Sequence, residues 1–227
     1  MQSVKAGFSL GSSLWEQITN YFTTDIGAYL FSVKEHIAIS VLALGGSALF
    51  GIILGYLCAE RKKYEKWIVT IFQVLRIIPS LAILFLLIPL MGTGFQPAMT
   101  ALILLAIPPI LMNTVAGLEE VPAFMLETAY AMGMSDWQVL WKVKLPLAAP
   151  LILTGIKTAA IEIVASATLA AKIGAGGLGS IIFTGLGLNR IDLLLIGGIS
   201  VAVLSIASTL ILDGAERYLF KYKFTGK

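Results

Sequence analysis

The chain has 227 residues, of which 58% are hydrophobic and 13% charged, and a net charge of +3. Soluble domains run nearer half apolar and a quarter charged, and here the apolar residues come in uninterrupted blocks, which argues against a water-soluble globule. A lone cysteine, Cys58, excludes an intrachain disulfide and a Cys-rich zinc site, and a single histidine, His36, removes most metal-ligand and histidine-dependent chemistry.

Residues 1–35 contain no apolar run long enough for a signal peptide or a span, because Glu16 and Asp25 interrupt the most apolar part. Trp15, Ile18 and Phe22 fall at i, i+3 and i+7. That spacing fits an amphipathic helix lying in the membrane interface, and a loosely ordered tail fits as well. The segment is therefore set apart from a transmembrane domain over 36–227.

A membrane helix needs about 20 largely apolar residues. The first such run, 36–59, carries no Asp, Glu, Lys or Arg and ends at a charged burst from Glu60 to Lys66. From 67 to 118 there is one charge, Arg76, and the stretch is too long for one crossing. Met91-Gly92-Thr93-Gly94 supplies a turn, giving spans at about 67–90 and 95–117. A fourth span, 150–171, is interrupted by Lys157 and Glu162, and a fifth, 193–212, is charge-free. The expected fold is all-α and polytopic, with five transmembrane helices.

Positive charge in short loops marks the cytoplasmic side. Five crossings place Arg61, Lys62, Lys63, Lys66, Lys142, Lys144, Arg217, Lys221, Lys223 and Lys227 on one side, and Lys5, Lys34, Lys172 and Arg190 on the other. The N-terminus is then expected outside and the C-terminus in the cytosol. The basic residues read as topology, with no nucleic acid as partner.

Between the third and fourth spans lies the longest expected cytoplasmic segment, 119–149. It exposes Tyr130, Met132, Met134, Trp137, Leu140 and Trp141, which costs hydrophobic free energy unless something covers them. Gly133 reads as a helix stop, and Ser135 or Asp136 as a fresh N-cap. The expected product is a short helix–turn–helix with an apolar tip, shaped to enter a cleft on a cytoplasmic protein.

Glu127-Thr128-Ala129, then Gly133, then Val143-Lys144-Leu145-Pro146 resembles the EAA loop of ABC importer permeases, with Thr128 and Val143 in place of Ala and Ile. The resemblance implies a MetI-like permease fold in the cell membrane. It also implies a loop in which Glu127, Ala129, Gly133, Val143, Leu145 and Pro146 dock on an ATPase subunit and pass its closure to the spans. Ile78-Pro79-Ser80-Leu81-Ala82, Asn113-Thr114, Gly133-Met134 and the run from Ile173 to Gly179 resemble the osmoprotectant branch, which carries glycine betaine, carnitine or choline. Methionine and taurine-type permeases share some of these features. Implied partners are cytoplasmic ABC ATPases that bind ATP and Mg, a second permease copy or paralogue, and an extracellular or periplasmic binding protein. No cofactor, catalytic residue or metal is assigned to this chain itself, which has no Walker A sequence.

Three ionisable residues fall inside the expected spans, where each costs at least about 2.5–3.5 kcal/mol on insertion scales. In straight helices Arg76 lies about 13 Å in, Lys157 about 10 Å and Glu162 about 18 Å. Snorkelling to the headgroups suits Lys157. Arg76 and Glu162 can pair between spans as a gate contact, with a direct substrate role as the alternative. Pro79 and the pair Pro108-Pro109 free backbone carbonyls, which suits either a water-filled pathway or kinked packing. Gly51-x-x-x-Gly55 allows close helix approach. Gly174-Ala175-Gly176-Gly177-Leu178-Gly179 matches the dinucleotide fingerprint in letters only, since it follows a membrane helix; a flexible external elbow fits better.

Two other functions fit less well. An ion-coupled secondary carrier working through Arg76 and Glu162 needs no exposed apolar hairpin, and no inverted repeat is evident. An intramembrane enzyme lacks paired carboxylates and has only His36 at a span end. Another small solute, an amino acid or a sulfonate, remains the alternative cargo.

Overall fold

The computed structural model describes residues 13–220, and every regular element among them is a helix. Lys5, Lys221, Lys223 and Lys227, used above for orientation, lie outside the described residues.

Helix α1 (Leu14–Thr24) starts at Ser13, whose hydroxyl accepts from the Glu16 amide while the Glu16 carboxylate accepts from the Ser13 amide. This reciprocal cap satisfies two of the donors a helix start leaves open. After Asp25 the chain enters α2 (Ile26–Glu60), so the first membrane helix begins ten residues before the expected 36. Two polar side chains at the junction with the expected span are satisfied within the chain. Glu35 accepts from the Gly177 amide at 3.0 Å, and the His36 ring Nε2 lies 3.1 Å from the Val164 carbonyl oxygen. Neither is left to lipid.

The expected straight span at 67–90 is two helices, α3 (Lys62–Ile77) and α4 (Ser80–Met91), bent by 100°. Ile78 is extended (φ −73°, ψ 125°) because the ring of Pro79 crowds a helical conformation at the residue before it. The bent pair still crosses the bundle. At its start Lys62 pairs with Glu119, and just past its end the Gly94 amide donates to the Ile173 carbonyl at 2.6 Å. Those contacts sit at opposite ends of the long helices; the described residues hold four helices long and apolar enough to cross a membrane, and five spans where the bent pair counts as one broken span.

Helix α5 (Phe95–Glu119) occupies the centre, flanked by α2 and α8 (Leu145–Ala170). Small residues let these helices meet. A methyl group on Gly51 would sit 2.8 Å from Ile110, one on Gly55 2.6 Å from Thr114, and one on Gly155 2.8 Å from the Pro109 carbonyl oxygen. The packed layer of Ala43, Leu84, Ala98, Leu102, Ile110 and Ile163 follows from that close approach.

Helix α6 (Ala123–Ala131) and the short α7 (Asp136–Val139) form the expected hairpin. Beyond α7, a π-helical segment (Leu140–Lys144) runs directly into α8. The fourth span therefore starts inside the hairpin rather than at 150. After α8, Gly174, Gly176 and Gly177 take positive φ (87°, 79° and 78°), and a further apolar helix that the sequence reading did not anticipate, α9 (Leu178–Leu188), precedes α10 (Ile191–Leu219).

Candidate functional site: the helical hairpin and the charges within the bundle

Alternation of closing and opening signals builds the hairpin. The Gly133 amide donates to the Tyr130 carbonyl, and the Met134 amide to the Ala129 carbonyl. Gly133 takes φ +79°, which glycine adopts without a Cβ penalty. Ser135 then caps α7, its hydroxyl accepting from the Gln138 amide while the Gln138 side chain accepts from the Ser135 amide. Ala129 and Val139 are buried where the two arms meet. The Asp136 carboxylate beside the Tyr130 hydroxyl holds the phenol above its usual pKa.

What remains outside is apolar. Phe124, Tyr130, Met132, Trp137 and Trp141 are all exposed, Met132 and Trp137 to 67% each. The two indoles stack edge to face with centroids 5.5 Å apart. A ridge of aromatic and methionine side chains on a rigid hairpin is suited to filling a groove on another protein. Glu127 is exposed beside it; Val143 and Leu145 are half-buried and Pro146 exposed at the root of α8. Lys144 reaches back 2.5 Å to Glu60, tying the hairpin's base to the end of α2.

Within the bundle the structure separates the expected charges. Lys157 is 17% exposed and binds Asp213 at 2.5 Å and Glu216, both towards the C-terminal end of α10, so two carboxylates within the chain solvate its ammonium. Arg76 and Glu162 form no ion pair within the chain: Arg76 is exposed at the end of α3 and Glu162 half-buried on α8, close enough for Arg76 to act on it electrostatically. The depth counted for Arg76 runs along α3, and the chain bends by 100° just after it. Pro79 is exposed at that bend. Pro108 is fully buried with Pro109 between α2 and α8, so its ring belongs to the packed core rather than to a water-filled path. The glycine elbow is pinned rather than loose, held by Glu35 through Gly177 and abutted by His36.

Sequence reading missed the partners Asp213, Glu216, Glu35 and Glu60. Asp213 and Glu216 carried a usable signal, since they are three apart on one face at the end of the last span. Among the described residues, no three His, Cys, Asp or Glu side chains group to hold a metal ion.

Residues 51–221 match the family described as binding-protein-dependent transport system inner membrane component. The choline transport system permease protein OpuBB of Bacillus subtilis is 39% identical over 202 residues, covering 89% of this chain and 93% of that protein. The glycine betaine/carnitine/choline transport system permease protein OpuCB of the same organism is 36% identical, covering 88% and 93%. The carnitine transport permease protein OpuCB of Listeria monocytogenes is 36% identical, covering 93% and 95%. Among solved structures, an inward-facing form of the MetNI methionine ABC transporter superposes with a TM-score of 0.76 at 24% identity, covering 84% of this chain and 95% of that one. The chain belongs to the binding-protein-dependent inner membrane permeases: it is a multi-pass membrane protein and the permease subunit of an ABC importer.

Proposed function

We propose that this permease carries quaternary-ammonium osmoprotectants of the choline, glycine betaine and carnitine class, driven by a separate cytoplasmic ATPase through the α6–α7 hairpin. The exposed ridge of Phe124, Tyr130, Met132, Trp137 and Trp141 carries the coupling part of this reading, because nothing among the described residues covers it. Glu127, Ala129, Gly133, Val143, Leu145 and Pro146 are the docking and transmitting residues: Ala129 and Gly133 set the hairpin's shape, and Val143 to Pro146 join it without a break to α8. The names of the relatives support the cargo class.

In this reading the hairpin and the C-terminus face the cytosol. The elbow at Gly174–Gly177 faces outward, where a binding protein delivers solute. Each step of the cycle needs a ligand that prefers one of two states. The ATPase, when closed on nucleotide, holds the two hairpins of a permease pair in one arrangement and releases them after hydrolysis. Because α7, the π-helical segment and α8 are continuous, displacement of the hairpin is carried along α8 into the membrane. Arg76, Pro79 and Glu162 are the pathway or gate candidates that this geometry leaves accessible.

The test has two arms. Met132→Asp combined with Trp137→Asp leaves the chain in the membrane and removes the co-purifying ATPase; full co-purification would overturn the docking role. In the reconstituted complex with its receptor, choline, glycine betaine or carnitine raises ATPase activity, whereas a response to amino acids or sulfonates alone rejects the cargo assignment. Labelling of a Gly133→Cys variant in intact cells by a membrane-impermeant thiol reagent would contradict the orientation.

A further inference from the structure

The faces this bundle turns outward are not alike. Along α10 the exposed stripe of Leu195, Ile199, Val203, Ile206 and Leu210 is wholly apolar, as contact with lipid tails requires. The side where α3 comes within electrostatic reach of α8 differs. Thr154 and Thr158 are exposed on α8, and Glu162 follows at the next step of four, half-buried. Gln73 and Arg76 are exposed on α3. The two threonine hydroxyls are satisfied inside their own helix, by the carbonyls of Pro150 at 3.0 Å and Thr154 at 3.1 Å. The charges are not.

Other charges held between helices are matched. Lys157 binds Asp213 and Glu216, and Glu35 accepts from the Gly177 amide. Arg76 and Glu162 act on each other electrostatically, yet make neither a hydrogen bond nor an ion pair among the described residues. A base and an acid that stand near each other without closing can each take a counter-charge from a solute. In a membrane protein such groups face water-filled space, because lipid does not solvate them.

Glycine betaine and carnitine carry a quaternary ammonium and a carboxylate on one small molecule, whereas choline carries the ammonium with a hydroxyl. A fully methylated ammonium has no N–H to donate, so a negative charge or an aromatic face must recognise it. A carboxylate is met best by the planar fork of an arginine.

We infer that Arg76 and Glu162 form a transit site for a zwitterionic solute, Glu162 facing the quaternary ammonium and Arg76 taking the carboxylate. The site deepens the cargo class proposed above and rests on it. Two charges open to water hold a solute loosely, which suits a site that must release its cargo in every cycle. For choline, Glu162 serves and Arg76 does not.

The test uses the whole importer, receptor and ATPase included, in proteoliposomes at saturating solute. Receptor and ATPase stay the same, so a change in the ratio between solutes reports on the permease. Arg76→Gln lowers transport of glycine betaine and carnitine about tenfold or more and leaves choline within about twofold. Arg76→Lys, which keeps the charge and loses the fork, falls between. Glu162→Gln lowers all three. Equal loss of the three solutes in Arg76→Gln makes the arginine a structural contact and overturns the site, as does undiminished choline transport in Glu162→Gln. A parent that carries choline alone overturns it too, since Arg76 then has no carboxylate to meet. A parent that carries none of the three fails the cargo class itself, and the site with it.

A second measurement leaves both charges in place. In a Cys58→Ser background, Thr158→Cys reacts with a water-soluble cationic thiol reagent in opened membranes, and Ile199→Cys on α10 does not. Adding Glu162→Gln removes the preference for the cationic reagent over a neutral one. An unreactive Thr158→Cys, with the ATPase still co-purifying, places the strip in lipid; that defeats the site and leaves the hairpin's role standing.

Discussion

Lys144 and Glu60 lie 84 residues apart in sequence and 2.5 Å apart in the structure, joining the root of the α6–α7 hairpin to the end of the first membrane helix. The pair is partly exposed, so its removal by Lys144→Met costs under about 1 kcal/mol of stability. Its consequence is mechanical. With the hairpin's base untied from α2, solute-stimulated ATPase activity falls towards the basal rate while thermal unfolding barely moves. The ratio of stimulated to basal activity in proteoliposomes measures this; an unchanged ratio shows that the tie transmits nothing.

Gly133 tests the turn separately from the apolar ridge. Open space surrounds a side chain there, so the obstacle to substitution is the backbone at φ +79° and not a clash. Asn tolerates that conformation, whereas a β-branched residue is strained by roughly 1–2 kcal/mol or more. Gly133→Asn should retain the co-purifying ATPase and Gly133→Val should lose most of it, with both variants inserted equally. Equal retention would show that the tight turn is dispensable.

Close approach of α2 to α5 predicts the opposite pattern of tolerance along a single helix. Gly55→Ala drives a methyl group to 2.6 Å from Thr114 and destabilises the chain by about 1–3 kcal/mol. Gly45→Ala, ten residues earlier, meets nothing within 4 Å and is neutral or stabilising by about 0.5–1 kcal/mol through helix propensity. Thermal aggregation in detergent ranks the two variants against the parent.

Removing Lys157 leaves Asp213 and Glu216 facing each other without a cation. Lys157→Met is expected to cost about 2 kcal/mol, between the values for exposed and fully buried pairs. Asp213→Asn costs less, because Glu216 continues to hold the ammonium. If Lys157→Met unfolds no earlier than Asp213→Asn, the triad does not clasp α8 to α10.

Features whose cause is local were legible in the sequence. Apolar run length gave the membrane class, and the Gly133–Ser135 signals gave the hairpin. Gly51 and Gly55 marked a close helix contact, because only a missing side chain lets two backbones come so near. Pairings between distant helices were not legible. Lys157 met Asp213 and Glu216, and Glu35 reached the elbow, because of which helices became neighbours. The prolines show the division most plainly. Pro79 and the pair Pro108-Pro109 look alike in the sequence, each inside an apolar run. Yet the chain turns by 100° at the first and stays in one unbroken helix through the other two. A proline removes one hydrogen bond and adds one crowded ring wherever it stands. The prolines of α5 are clamped on both sides through Gly51, Gly55 and Gly155, so their helix stays whole. Pro79 lies at the exposed rim, where no neighbour opposes the bend.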